Sequence, residues 1–159
     1  MKINPARRLR WLLLLLVLTL ALRTWVVMPM LIVGESMAPT FHGGQVALVN
    51  KLTYCFHSPQ RGEVVAVWTG EEIIIKRVIG LPGEEICVRA GKVYINNRPL
   101  REPYVQGCES FESSSGRMPI NHFVVAGDNR ANTLVAVVNS GRIIGPITIL
   151  RPPSFWSHT

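Results

Sequence analysis

Ser36 and Lys76 are the two residues of this chain best suited to act on each other. Ser36 lies in Gly34-Glu35-Ser36-Met37-Ala38-Pro39-Thr40-Phe41, where a small residue, a serine, a proline and a threonine in so short a run read as a turn. Lys76, forty positions on, lies in Ile73-Ile74-Ile75-Lys76-Arg77-Val78-Ile79, which reads as a strand of β-branched residues. Side chains alternate faces along a strand, so Ile74, Lys76 and Val78 share a face that is otherwise apolar. A lysine amine held against apolar surface loses the solvation of its charged form, and its pKa falls. A neutral amine can then take the proton of a serine hydroxyl. The expected unit is a Ser/Lys dyad, with Ser36 as nucleophile and Lys76 as general base. The bland alternatives are a turn serine and an edge-strand lysine that blocks aggregation.

Other chemistries find less support. His42, His57, His122 and His158 stand in no recognisable Ser-His-Asp arrangement, and His42 reads as a turn residue. Cys55, Cys87 and Cys108 have no metal-ligand spacing, so no metal or other cofactor is expected. They allow at most one disulfide within the chain, and the sequence does not choose the pair. The net charge is +7, but Lys2, Arg7, Arg8 and Arg10 crowd the N-terminus and the other basic residues are scattered. No basic stripe interleaved with aromatics is present, so nucleic acid is not an expected partner.

The 159 residues suffice for one domain with a real core. Residues 1–10 are a basic tail. Trp11–Leu22 is an apolar run broken only by Thr19, about 18 Å long as a helix, against roughly 30 Å of hydrocarbon in a bilayer. Ala21-Leu22-Arg23 is a poor cleavage site. The preferred reading is a short transmembrane signal anchor over 11–24, with Arg23 snorkelling to the interface. Positive charge before it places the N-terminus in the cytoplasm and the rest outside. Met28-Pro29 argues that the chain is already extended there.

Residues 25–159 then read as an all-β domain, a compact barrel-like or two-sheet fold. Strands are expected at 45–52, 63–68, 73–79, 84–89, 92–96, 121–126, 134–138 and 142–150, punctuated by Gly, Pro and Asn turns. A turn is expected at 97–99, and residues 101–121 read as a long polar loop.

Four motifs occur in order after the anchor: Gly34–Thr40, Arg61-Gly62-Glu63-Val64-Val65, Lys76–Glu84 and Gly127-Asp128-Asn129-Arg130. Together they closely resemble the bacterial type I signal peptidases over roughly residues 20–150. Asn97–Leu100 followed by Glu102-Pro103-Tyr104 also looks like that family's hairpin and following segment. The resemblance implies an endopeptidase in the bacterial cytoplasmic membrane, facing outward. It would cut signal peptides from exported preproteins after Ala-x-Ala-like sites. It implies Ser36 as nucleophile, Lys76 as base, the Ser36 N–H as one oxyanion donor, and Gly127, Asp128, Asn129 and Arg130 as a structural motif.

Gly34 occupies a position that many members fill with serine, so a backbone donor would serve there. Thr133 falls where the family's serine orients the lysine amine, and it keeps a hydroxyl. The family's following Asp-Ser-Arg element is absent at its usual spacing, and Asp128 is the sole aspartate of the chain. Two rivals stand beside this reading: a pilin-processing Ser/Lys peptidase, and a catalytically silent membrane-tethered module that binds exported peptides by strand addition.

Overall fold

The computed structural model describes residues 5–105, 113–132 and 135–150. It begins with helix α1 (Pro5–Val26), whose leucines and valine from Leu12 to Leu20 all stand exposed. Thr19, the polar residue of that run, donates its hydroxyl to the Leu16 carbonyl at 2.8 Å and so satisfies it within the helix. Residues 11–24, expected to cross a membrane, lie inside α1, but among the described residues no helix is long and apolar enough to cross one. Arginines at 7, 8, 10 and 23 leave an uncharged run of only about 18 Å. The helix also continues two residues past the expected boundary.

The chain is extended from Val27, as Met28-Pro29 suggests. The strands are β1 (Val27–Leu31), β2 (Val46–Asn50), β3 (Val64–Trp68), β4 (Ile73–Gly80), β5 (Glu85–Arg89), β6 (Lys92–Ile95), β7 (Arg98–Pro99), β8 (Ser113–Arg117), β9 (His122–Ala126), β10 (Ala136–Asn139) and β11 (Ile143–Ile149). The larger sheet runs β1-β2-β11-β3-β4-β9-β10 and the smaller β7-β6-β5-β8. Each pairing in both is antiparallel. Of the two expected forms, two sheets is the one found. Among the described residues β1 and β10 are edges, so the larger sheet is open rather than a closed barrel. Pro29 sits on edge strand β1, where a missing N–H is tolerated.

Two strands depart from the expected pattern. Arg98–Pro99 is a two-residue strand paired to β6 rather than a plain turn. Ser113–Arg117 pairs with β5 across an irregular register, inside what reads as a polar loop. Its Ser-Ser-Ser-Gly sequence carries no β-branched residue, so tertiary pairing decides its conformation.

Three apolar clusters hold the sheets. Val65, Val67, Val78, Phe123 and Val125 fill one face of the larger sheet, with Ile74 packed against them. Ile32, Met37, Ala47, Val64 and Ile75 form a second cluster beneath the Ser36 turn. Ile79, Ile86, Val88, Val93 and Val124 weld the small sheet to the large one. A side chain at Gly80 would meet Ile86 Cδ1 at 1.9 Å, so glycine is what lets the two sheets close there. Strand β11 joins the halves of the larger sheet: Ile143–Pro146 pairs with β3 and Ile147–Ile149 with β2. At its bend, a side chain on Gly145 would collide with the Asn50 carbonyl at 2.0 Å.

Candidate active site

Ser36 and Lys76 line one cleft of about 310 Å³. One wall is residues 30–34 with Ser36 and Met37; the other is residues 72–76. The floor is the cluster of Ile32, Met37 and Ile75, all buried. On one side β4 pairs with β3, Val65 opposite Lys76. On the other, the pairs with β9 begin only at Arg77, so Ile73–Ile75 turns that edge to the cleft.

Alternation along β4 sends Ile75 into the cluster under the Ser36 turn and puts Lys76 on the opposite face with Ile74 and Val78. Both residues nonetheless border the same cleft. Lys76 is half-buried, and burial holds its amine below the ordinary lysine range. The apolar face expected from the sequence is therefore present and has the expected electrostatic effect.

The Ser36 turn is tied at several points. The Glu35 carbonyl accepts the Ala38 N–H at 3.1 Å, and the Met37 carbonyl accepts the Phe41 N–H at 2.9 Å. The Glu35 carboxylate accepts the Gly43 N–H and contacts His42 Nδ1, each at 3.1 Å. These two partners, the Gly43 N–H first, hold its pKa below the usual carboxylate range. His42 is thus a turn residue paired to Glu35, and it is not among the residues lining the cleft. Gly34, which does line it, has φ +81°, a left-handed conformation in which serine is strained. Nothing stands within 4 Å of an added Cβ there, so the cost of Gly34→Ser comes from the backbone. We expect it to lower unfolding stability by about 1–2 kcal/mol in urea titration. An unchanged midpoint would mean that the turn relaxes out of the left-handed region.

The Gly127–Arg130 motif clamps this turn from outside. The Asn129 N–H donates to the Ser36 carbonyl at 3.1 Å and its side-chain amide to the Glu35 carbonyl at 3.2 Å. Asp128 is fully buried. It accepts from Arg77 Nε at 2.8 Å and Nη2 at 2.5 Å, and from the Thr40 hydroxyl. Arg77 Nη1 donates to the Gly62 carbonyl at 2.7 Å, which ties in the Arg61-Gly62-Glu63 motif. Arg61 itself donates to the Ile79 carbonyl and pairs with Glu84, closing the strand that carries the lysine.

Ser36, Lys76, Gly34 and the Gly127–Arg130 motif are thus gathered around one turn. Thr133 lies outside the described residues. Sequence reasoning missed Arg77 and Thr40 as partners of Asp128. The signal was available: a sole aspartate in a basic chain needs a cation, and Arg77 directly follows the lysine. Cys55 and Cys87 are free thiols, while Cys108 lies outside the described residues. Among the described residues, no three His, Cys, Asp or Glu side chains gather as a metal site.

Comparison with known proteins gives the family. The family described as signal peptidase, peptidase S26 matches residues 6–148, so the chain belongs to that family. It is 39% identical over 127 residues to a signal peptidase I of Leptolyngbya laminosa, covering 74% of this chain and 63% of that protein. A probable signal peptidase I-1 of Synechocystis sp. is 37% identical over 128 residues, covering 74% and 65% respectively. Signal peptidase I S of Bacillus subtilis is 31% identical over 130 residues, 74% of this chain and 70% of that one. A solved signal peptidase I from Enterococcus faecalis shares 26% identity over 58% of this chain and 98% of that one, with a TM-score of 0.48. The matched region spans less than two thirds of the length of the first two of these relatives.

Proposed function

We propose that this chain is a membrane-held endopeptidase that removes signal peptides from exported preproteins, with Ser36 as nucleophile and Lys76 as general base. The observation that carries the reading is that Ser36 and a desolvated Lys76 line one cleft in a chain of the signal peptidase family. The neutral Lys76 amine takes the Ser36 hydroxyl proton as Oγ attacks the scissile carbonyl. The developing oxyanion is met by the Ser36 N–H and a backbone donor at Gly34. The protonated lysine then gives its proton to the departing amine. Water, deprotonated by the Lys76 amine, then attacks the acyl carbonyl, and the protonated lysine returns the proton to Ser36 Oγ as the acyl group leaves. Thr133 supplies the hydroxyl that orients the lysine.

The substrate peptide binds extended, as a strand between the Ile73–Ile75 edge and residues 30–34. Its alternate side chains meet a floor already filled by Ile32, Met37 and Ile75, which suits small residues at the first and third positions before the cut. The exposed leucines of α1 support membrane tethering through residues 11–24, with 25–159 forming the extracytoplasmic catalytic domain. Exposed apolar surface of that extent is unusual in a soluble chain.

The test is incubation of the detergent-solubilised full chain with a preprotein carrying an Ala-x-Ala site. Cleavage after the second alanine is expected, lost in Ser36→Ala and blocked by a bulky residue at either alanine. Binding without cleavage by the wild-type chain would favour a silent peptide-binding module. Cutting that survives Ser36→Ala would remove Ser36 from the chemistry. Alkaline extraction of membranes should leave the chain in the pellet.

A further inference from the structure

Two arginines flank the site, Arg77 just after Lys76 and Arg130 at the end of the motif that clamps the Ser36 turn. Their side chains are 11% and 1% exposed. A guanidinium removed from water needs counter-charge and full hydrogen bonding. Arg77 directs its N–H groups to Asp128, Gly62 and Thr40. Its flat face is covered by the ring of Tyr104, with the guanidinium carbon 4.0 Å from the ring centroid. Arg130 donates Nε to the Gly127 carbonyl at 3.0 Å, and its Nη2 pairs with Glu102. The same Glu102 oxygen accepts the Tyr104 hydroxyl at 3.3 Å. Glu102 and Tyr104, on the chain leaving the small sheet, therefore touch both arginines and each other. The chemistry set out above uses neither of them.

We propose that Glu102-Pro103-Tyr104 is a positioning strap, laid across the guanidinium groups of Arg77 and Arg130, that holds the Gly127–Arg130 loop against the Ser36 turn. The inference rests on the Ser36–Lys76 reading and extends it to a segment that does not line the cleft. Contact passes from the Tyr104 ring to Arg77, from Arg77 to Asp128, and from the adjacent Asn129 to the Ser36 carbonyl. An aromatic face attracts a guanidinium and keeps water from its open side. The Arg77–Asp128 bonds are then made in a drier setting, where they are stronger. Pro103 fixes its own φ and so limits the strap's freedom. The Tyr104 hydroxyl is pushed up to about 12, by burial first and by Glu102 second. The strap thus stays neutral at Tyr104 while the Lys76 amine titrates below its ordinary range.

Tyr104→Leu removes the ring, whereas Tyr104→Phe keeps it and removes only the hydroxyl. Both are made in the detergent-solubilised full chain. Two readouts are taken: kcat and KM on the Ala-x-Ala preprotein, and hydrogen exchange at the Asn129 N–H. Tyr104→Leu should lower kcat about tenfold, leave KM within about twofold, and speed exchange at Asn129. Tyr104→Phe should retain most of the rate and the protection. Wild-type kcat with unchanged exchange in Tyr104→Leu would overturn the strap. Equal loss in both variants would overturn it too, since the effect would then lie in the hydroxyl and not in the ring on Arg77. If the wild-type chain cleaves no preprotein, the function fails on its own account, and the exchange measurement still decides the strap.

Discussion

Lys76→Met is expected to abolish preprotein cleavage while leaving the protein harder to unfold at neutral pH than the wild type. The loss of a general base lowers the rate by roughly a hundred- to ten-thousandfold. The gain in stability has the same origin as the catalysis. Lys76 shares its strand face with Ile74 and Val78 and pairs in register with Val65, and burial lowers its pKa. Between that lowered value and the ordinary lysine value, the unfolded chain binds a proton that the folded chain does not. Wild-type stability therefore rises with pH across that window. Below the window the folded lysine is charged and bears its full desolvation cost. Methionine bears none, so its advantage is greatest there and fades as pH climbs towards the ordinary lysine value. Thermal unfolding of both proteins at two pH values checks this. Cleavage by the wild type should rise with pH through the lowered Lys76 value. Lys76→Arg should be inactive at every pH, because a guanidinium stays protonated. Normal turnover by Lys76→Arg would remove the lysine from the mechanism, and an activity limb abolished by replacing one histidine would point to a triad instead.

Asp128→Ala should damage the fold itself. Asp128 is fully buried and accepts two hydrogen bonds from Arg77 and one from Thr40. Removing it leaves a nearly buried guanidinium without its counter-charge, at a cost of about 3–5 kcal/mol. Cleavage should fall along with stability, because the loop that follows Asp128 is what hydrogen-bonds the Ser36 turn. Adding Arg77→Met to Asp128→Ala should restore part of the lost stability, since the stranded charge is then gone. Chemical denaturation of the three variants separates these cases. If the double variant is as unstable as the sum of its parts, the two residues act independently.

Sequence carried the placement of Ser36 and Lys76 further than it carried the architecture around them. Ser36 and Lys76 could be read from residue type and from the two-residue period of β4, because burial of one strand face is a local pattern. The strand positions followed from β-branched runs and Gly or Pro breaks, and most fell within one or two residues. What local pattern could not carry was pairing across distance. Arg77 finds Asp128 fifty-one positions away, and Tyr104, beyond the last strand of the hairpin, reaches back to Arg77 on the larger sheet; neither contact leaves a mark in the neighbouring residues. Ser113–Arg117 is a strand because β5 offers it partners, against its own composition. The reading of 11–24 as a membrane-crossing segment met a harder limit, a run of apolar residues bounded by arginines on both sides.

Strand β11 gives the protein a timetable. The Ser36 turn hangs from β1 and β2, and Lys76 is carried by β4 beside β3. Among the described residues those two halves of the larger sheet meet only through β11, which follows both of them in the chain. Chains are made from the N-terminus onward at roughly 5–20 residues per second, so the serine half and the lysine half emerge before the strand that splices them. A cleft assembled in that order stays unfinished while the chain that forms it is still being made. Its two halves are joined in the sheet only when residues 143–149 have arrived.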